Sequence, residues 1–259
     1  MHPLQKNNPN PTKAILWILL CKMHFAILMA CIKYADFPTL QLNFIRSLIV
    51  ALVSFPIILS IYGLKGIKTH QLGPQLIRVT SGALAMMCFF HAFDHMSMAK
   101  ATTLVAAQTL FIPVLAFFVL KEKIRARRWT AIIVGYTGIW IALNPIYGSL
   151  ETVEGIALLG AFLAAIANIS AKKLVATDAP LVLMFFSALA SIFLLAIYYW
   201  HIPFLQSLGW SISPWKPIEI QNMPILLGMS GAALISQFSY LNAFRYGDIS
   251  FLAPFDYSK

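Results

Sequence analysis

The chain has 259 residues, of which 59% are apolar and only 11% are charged. Soluble domains carry about 25% charged residues, so this composition excludes an ordinary water-soluble globule and predicts an integral membrane protein. The formal net charge is +10, from 19 Lys and Arg against 9 Asp and Glu. Such an excess is typical of nucleic-acid-binding proteins, but also of membrane proteins with basic cytoplasmic loops.

Apolar runs long enough to cross a bilayer recur along the chain between short polar breaks. They predict an all-α fold with eight complete transmembrane helices at Ala14–Ile32, Pro38–Tyr62, Leu76–Met98, Thr102–Leu120, Trp129–Tyr147, Gly155–Leu174, Leu181–Trp200 and Pro224–Phe244. A ninth run begins near Ile249 and stops with the sequence at Lys259, which is about half a bilayer of helix.

The positions of the basic residues predict the orientation of these helices. With a cytoplasmic N-terminus, three basic residues lie in outside loops, namely Lys33, Lys100 and Lys216. Thirteen lie inside: Lys6, Lys13, Lys65, Lys68, Arg78, Lys121, Lys123, Arg125, Arg127, Arg128, Lys172, Lys173 and Arg245. This bias follows the positive-inside rule. It explains the basicity without a nucleic-acid partner.

Two short matches indicate an internal repeat. Ala35–Pro38 matches Thr177–Pro180 at an offset of 142, and Ala92-Phe93 matches Ala243-Phe244 at an offset of 151. The offsets predict two halves of five helices, residues 14–147 and an incomplete 148–259. Because five is odd, the second half is expected to be inverted relative to the first.

Several motifs, in order, resemble the EamA-type branch of the drug/metabolite transporter superfamily. They are Phe44-Ile45-Arg46, the stretch Ala101–Leu120 with Pro113 followed by Lys121-Glu122-Lys123, Gly135-Tyr136-Thr137-Gly138, and Ala243–Asp248 leading into Ala253–Tyr257. The region of helices three to five is most similar to the S-adenosylmethionine carriers.

The resemblance implies a carrier of the bacterial inner membrane with ten helices in two inverted repeats. It implies transport of a small polar metabolite, amino acid-like or S-adenosylmethionine-like, by alternating access. Against that pattern most of helix nine and all of helix ten are missing, so the chain is expected to be truncated at its C-terminus. A non-transporting remnant is the alternative function, and a homodimer is left open.

Charged side chains at membrane depth are candidates for solute binding because insertion there costs a few kcal/mol. Lys22, Arg46 and His91 fall within about 6 Å of a common depth on three predicted helices. They predict a pocket for a solute carboxylate, held by the forked guanidinium of Arg46. In the alternative, Lys22 and Arg46 bond helix-end carbonyls or Asn43 and fix the packing.

Neutral polar side chains complete the predicted solute site, with Asn43, Gln108, Gln237 and Tyr240 as candidates, although such groups often only join helices. The sequence His91-Ala92-Phe93-Asp94-His95 allows proton coupling through Asp94 or His91. A metal site, a polar helix end reaching water, and an intramembrane enzyme using His91, Asp94 and His95 are the alternatives. No cofactor, resident metal or catalytic residue is predicted.

Overall fold

The structure is a computed structural model that describes residues 10–35, 37–64, 69, 71–122, 126–143, 152–200 and 215–252. These residues are almost entirely helical. The helices are α1 (Pro11–Tyr34), α2 (Thr39–Tyr62), α3 (Leu72–His95), α4 (Met98–Ala106), α5 (Gln108–Leu120), α6 (Ala126–Leu143), α7 (Thr152–Leu174), α8 (Pro180–Trp200), α9 (Met223–Tyr246) and α10 (Ile249–Leu252). A short 3₁₀ turn, Ile220–Asn222, precedes α9.

Local sequence signals set the ends of these helices. The side chain of Asn10 accepts a hydrogen bond from the backbone N–H of Lys13 at 3.1 Å, and Pro11 occupies the first turn of α1; both are favourable at a helix start. Helix α2 ends at Gly63, whose φ of +64° suits a residue without a Cβ. Helix α5 ends at Lys121, which also has a positive φ, +56°, and lies in the left-handed helical region with ψ of +32°.

Within the described residues, seven helices are long and apolar enough to cross a membrane. The all-α membrane fold is therefore confirmed. The fifth predicted helix corresponds to α6, whose apolar stretch Ile132–Ile141 is shorter, and residues 144–150 lie outside the described part. The count of eight stays a prediction, and of the ninth run only Ile249–Leu252 is described as helix.

One compact unit, here called unit A, comprises α1, α2, α8 and α9. Helix α1 packs along α9 and α2 along α8, while α9 also contacts α2. The pairing of α1 with α9 is antiparallel, since the N–H of Asn10 donates to the carbonyl of Tyr246 and Trp17 meets Phe238 edge-on. A buried core between α1, α2 and α9 contains Leu28, Leu42, Leu226, Met229 and Ala233.

A second compact unit, here called unit B, comprises α3 to α7 and α10. Small residues bring α3 and α7 close together: a Cβ on Gly82 would lie 3.7 Å from that of Ala167, and one on Gly160 only 2.7 Å from that of Cys88. Close approach through small residues is the usual way in which helices associate inside membranes. The ring of Phe111 then joins α5 to both α6 and α7.

Each unit takes helices from both predicted halves of the chain, and the repeat boundary near residue 147 stays a prediction. Large apolar side chains on the outer faces of both units are exposed, including Leu16, Phe118, Val134 and Phe193 at 62 to 71%. Such exposure is incompatible with water as the only solvent and fits a lipid-facing surface.

Candidate functional site

Lys22 lies half-buried in the middle of α1, inside unit A. Its ammonium nitrogen is 5.8 Å from the ring centroid of Tyr240 on α9, a cation–π distance. Beside it, the thiol of Cys21 and the hydroxyl of Ser236 lie 3.4 Å apart, and Ser236 donates to the carbonyl of Cys21 at 3.1 Å. Two of the predicted solute-binding residues, Lys22 and Tyr240, are thus brought together.

Arg46 lies on α2 and donates from Nη2 to the side-chain oxygen of Asn43 at 2.5 Å. This is the contact that the packing alternative requires. A guanidinium has five N–H donors, so one bond to Asn43 also orients the group and leaves donors for a carboxylate. The structure therefore joins Asn43 and Arg46 without deciding between the two roles.

The N-terminal end of α2, five residues before Arg46, contacts the segment that leads into α9. The side-chain amide of buried Gln41 donates to the carbonyl of Lys216 at 2.7 Å and accepts from its N–H at 3.0 Å. The rings of Phe44 and Trp215 lie 5.3 Å apart beside this pair. These contacts hold the backbone around Asn43 and Arg46 in place.

Two further polar residues of α9 lie near Tyr240 in the chain. Gln237 is half-buried, one turn before Tyr240. Ser239 is fully buried, and its hydroxyl has no hydrogen-bond partner among the described residues. Ser239 was not predicted from the sequence. Serine is common in membrane helices, where its hydroxyl usually donates to a backbone carbonyl of the preceding turn.

His91 and His95 meet on one face of α3 in unit B, with ring centroids 4.2 Å apart. The Nδ1 of His95 lies 2.9 Å from the carbonyl oxygen of His91, to which it donates. The side chain of Asp94 lies outside the described part of the structure. The proton-coupling and metal interpretations of this motif therefore stay predictions.

Gln108 lies at a local irregularity of the fourth predicted span. Helix α4 ends at Ala106 and α5 begins at Gln108, but Ala107 between them keeps right-handed helical angles, φ −56° and ψ −24°, so Lys100–Leu120 is one helical span. At this point the N–H of Leu110 donates to the carbonyl of Ala107, three residues earlier, and the hydroxyl of Thr109 donates to the carbonyl of Ala106 at 2.7 Å. Gln108 is thus placed at a tightened turn near the middle of the span.

The ends of the unit B helices carry charge pairs. At one end, Lys100 of α4 pairs with the buried carboxylate of Glu154 of α7. At the other, the electrostatic partners of Lys172 are Glu122 and Asp248, and Glu122 accepts from the N–H of Ile249 at 3.2 Å. These pairs join residues that the predicted topology places in loops on the same side.

Arg78 differs from its predicted position. We expected it in an inside loop, but it lies six residues inside α3 and is 8% exposed. Gln75, one turn earlier, is 4% exposed. The polar character of this stretch shifted the predicted helix start to Leu76, although these side chains face protein rather than water.

A family model, described as the EamA-like transporter family, matches residues 12–144, half of the chain. The chain belongs to the EamA-like transporter family. It is therefore an all-α, multi-pass membrane protein of the family that the sequence motifs predict.

Three relatives show the range of this family. The chain is 24% identical to a riboflavin transporter of Vibrio cholerae, over 96% of this chain and 82% of that protein. It is 25% identical to an S-adenosylmethionine uptake transporter of Rickettsia prowazekii, over 94% and 79% respectively. It is also 25% identical to a pseudopaline exporter of Pseudomonas aeruginosa, over 92% and 81%. These names indicate transport of small metabolites rather than catalysis.

The predicted proximity to S-adenosylmethionine carriers is confirmed by a second such relative, from Rickettsia bellii, at 26% identity. The relatives differ in solute and in direction, since both uptake and export occur among them. The individual site residues of this family member stay predictions. The structure groups them as Lys22 with Tyr240, Arg46 with Asn43, and His91 with His95.

Proposed function

We propose that the chain is a secondary carrier that moves a small, polar, carboxylate-bearing metabolite across the bacterial inner membrane by alternating access. In this proposal the solute is amino acid-like or S-adenosylmethionine-like, and the N-terminus is cytoplasmic. The observation that carries it is the pair of cationic side chains, Lys22 and Arg46, inside apolar helices of one compact unit. Their cost at membrane depth favours a functional role.

Lys22 and Arg46 would bind the anionic part of the solute, since both donate to oxygen acceptors and Arg46 can bind a carboxylate through two parallel bonds. Asn43 orients Arg46, and Tyr240, on the neighbouring helix α9, orients Lys22. Gln237 would add a neutral donor and acceptor beside them. This assigns the predicted binding residues of unit A to one part of the solute.

In unit B, we assign Gln108 and His91 to the solute as well, and proton coupling to His91 and Asp94. The tightened turn at Ala107 supports this part of the proposal, because it lies beside Gln108 and a short 3₁₀-like turn inside a helix often marks a functional position.

The proposal is tested by uptake of labelled solutes into proteoliposomes containing the purified chain. The solutes are S-adenosylmethionine, its decarboxylated analogue and riboflavin, which separate a carboxylate requirement from a general preference for size. We expect S-adenosylmethionine to enter faster than the decarboxylated analogue. Uptake of none of the three above protein-free vesicles would refute the carrier proposal for these solutes.

Variants then distinguish solute binding by Arg46 from packing. A charge-assisted hydrogen bond contributes about 1.5 to 3 kcal/mol, so Arg46→Ala should lower the uptake rate about 10- to 100-fold. Asn43→Ala removes the orienting partner and should cost less, while Lys33→Ala, a basic residue in the last turn of α1, should have no effect. Equal losses in Arg46→Ala and Asn43→Ala would favour the packing role.

A further inference from the structure

The side-chain amide of Gln75, near the start of α3, is buried. The side chain is 4% exposed, and neither its Oε1 nor its Nε2 has a hydrogen-bond partner among the described residues. An amide has two donors and two acceptor lone pairs, and each buried unsatisfied group costs about 1 to 3 kcal/mol. Buried polar groups in folded proteins are nearly always bonded, so this exception calls for an explanation.

Arg78 follows Gln75 by one helical turn, so the two side chains share a face of α3. Arg78 is 8% exposed, and Ser81, a further turn on, is 6% exposed. The neighbouring residues Leu76 and Ile77 are instead 60% and 51% exposed. The helix therefore has an apolar face toward lipid and a polar, enclosed face toward protein.

The contacts of α3 with α7 show what the enclosed face packs against further along. Gly82 lies against Ala167, and Cys88 and Phe89 lie against Gly160, so the two helices run antiparallel in close contact. These contacts occupy the same face of α3 as Gln75 and Arg78. Between the start of α3 and Gly82, this face carries the amide of Gln75 and the guanidinium of Arg78 instead of small residues. Close packing of the two helices does not require these polar groups.

We propose that Gln75 and Arg78 form an oxyanion-binding site of unit B, distinct from the residues around Lys22 and Arg46, which takes a carboxylate or phosphate group of the solute. A guanidinium binds such groups through two parallel N–H bonds, and the amide of Gln75 donates a further one. The proposal rests on the proposed function, because alternating access opens the face that is enclosed in this structure.

Reactivity of introduced cysteines tests this site without requiring transport. In a chain with Cys21, Cys31 and Cys88 replaced by alanine, Gln75→Cys and Ser81→Cys are compared in nanodiscs, where both faces of the membrane are accessible. The probes are two methanethiosulfonate reagents of similar size, one anionic (sulfonatoethyl) and one cationic (trimethylammonium-ethyl). Their rates are normalised to those with a free thiol in solution.

The lipid-facing Leu76→Cys is the matched control on the same helix and at the same depth. Ser81→Cys is nearly isosteric, so it reports on the site even if Gln75→Cys fails to fold as a monodisperse protein. We expect both site cysteines to react faster than Leu76→Cys. We expect the anionic reagent to react about tenfold faster than the cationic one, since a fixed charge concentrates counter-ions.

Adding Arg78→Gln should abolish this charge preference, whereas Arg78→Lys should retain it. Inorganic phosphate or acetate, at ionic strength matched with chloride, should slow the labelling, and which of them protects identifies the oxyanion. Reaction no faster than at Leu76→Cys, a preference unchanged by Arg78→Gln, or protection by neither anion would overturn the site. Charge-selective labelling without solute uptake would refute only the carrier proposal. Solute uptake without charge-selective labelling would refute only the oxyanion site.

Discussion

Units A and B place their polar side chains in different ways. In unit A, Lys22 and Arg46 lie well inside apolar helices and contact Tyr240 and Asn43 there. In unit B, the ion pair of Lys100 with Glu154 lies at one end of the helices, and the close helix contacts further in are made by small residues such as Gly160. The contacts described in unit A are therefore centred on two cations, and the contact of α3 with α7 in unit B on close backbone approach, although Arg78 is a buried cation of unit B as well.

This difference predicts how each unit tolerates substitution. A charge enclosed by protein is costly to leave without its partner, and a close backbone contact is costly to widen. Removing an aromatic ring from beneath a cation should lower the free energy of unfolding by less, because a cation–π interaction is weak. The three substitutions below test the comparison in order of expected effect.

The ion pair at the end of unit B should give the largest effect. The Glu154 side chain is 3% exposed and that of Lys100 is 34% exposed. Lys100→Met leaves a carboxylate enclosed without this cation and should lower the free energy of unfolding by about 3 kcal/mol. The measurement is unfolding in mixed micelles followed by circular dichroism.

Two control variants show whether the loss of stability comes from the ion pair. The double variant Lys100→Met with Glu154→Gln should recover most of the loss, because it removes both charges. Lys33→Met removes a basic residue from the last turn of α1 and should have little effect. A double variant no more stable than Lys100→Met would show that the ion pair is not the reason for the loss.

The contact of α3 with α7 should give an intermediate effect. Gly160→Ala places a Cβ 2.7 Å from that of Cys88 and 2.9 Å from a ring carbon of Phe89, so the helices must separate. Overpacking of this kind costs about 1 to 3 kcal/mol, measured in the same unfolding assay. Gly155→Ala, on the same helix with no atom within 4 Å, should be neutral or stabilising since alanine favours helix. Equal effects at both glycines would contradict the close-packed description of unit B.

The aromatic partner of Lys22 should give the smallest effect. Tyr240→Leu removes the ring and should cost about 0.5 to 2 kcal/mol, whereas Tyr240→Phe keeps the ring and should cost less. Comparing the two variants in both the unfolding and the uptake assays separates the roles. Loss of uptake in Tyr240→Phe with unchanged stability would assign the hydroxyl to the solute rather than to Lys22.

The apolar runs predicted several helices closely. The predicted second helix, Pro38–Tyr62, and seventh, Leu181–Trp200, each differ from α2 and α8 by one residue at one end. Hydropathy locates these helix starts well because a proline stands at each of them, Pro38 and Pro180, and proline is favoured at the start of a helix. The third prediction, Leu76–Met98, was wrong by three or four residues at each end, since α3 is Leu72–His95.

The features that the sequence missed have different causes. Hydropathy treats every polar side chain as facing water, so Gln75 fell just outside the predicted span Leu76–Met98 and Arg78 was counted with the inside loop, although both are buried. The tightened turn at Ala107 was missed because it leaves the apolar run intact. Contacts such as that of Lys22 with Tyr240 join distant parts of the chain, and no local pattern predicts them.

Lys121 shows a conflict between insertion and folding. Among the described residues it is the one non-glycine residue with positive φ, a conformation that costs about 1 kcal/mol for a side chain with a Cβ. Glycine would relax the backbone there but would remove a cation from the basic loop that we expect to orient the chain during membrane insertion. On that expectation, the strained backbone at the end of α5 is the cost of a signal that acts before the protein is folded.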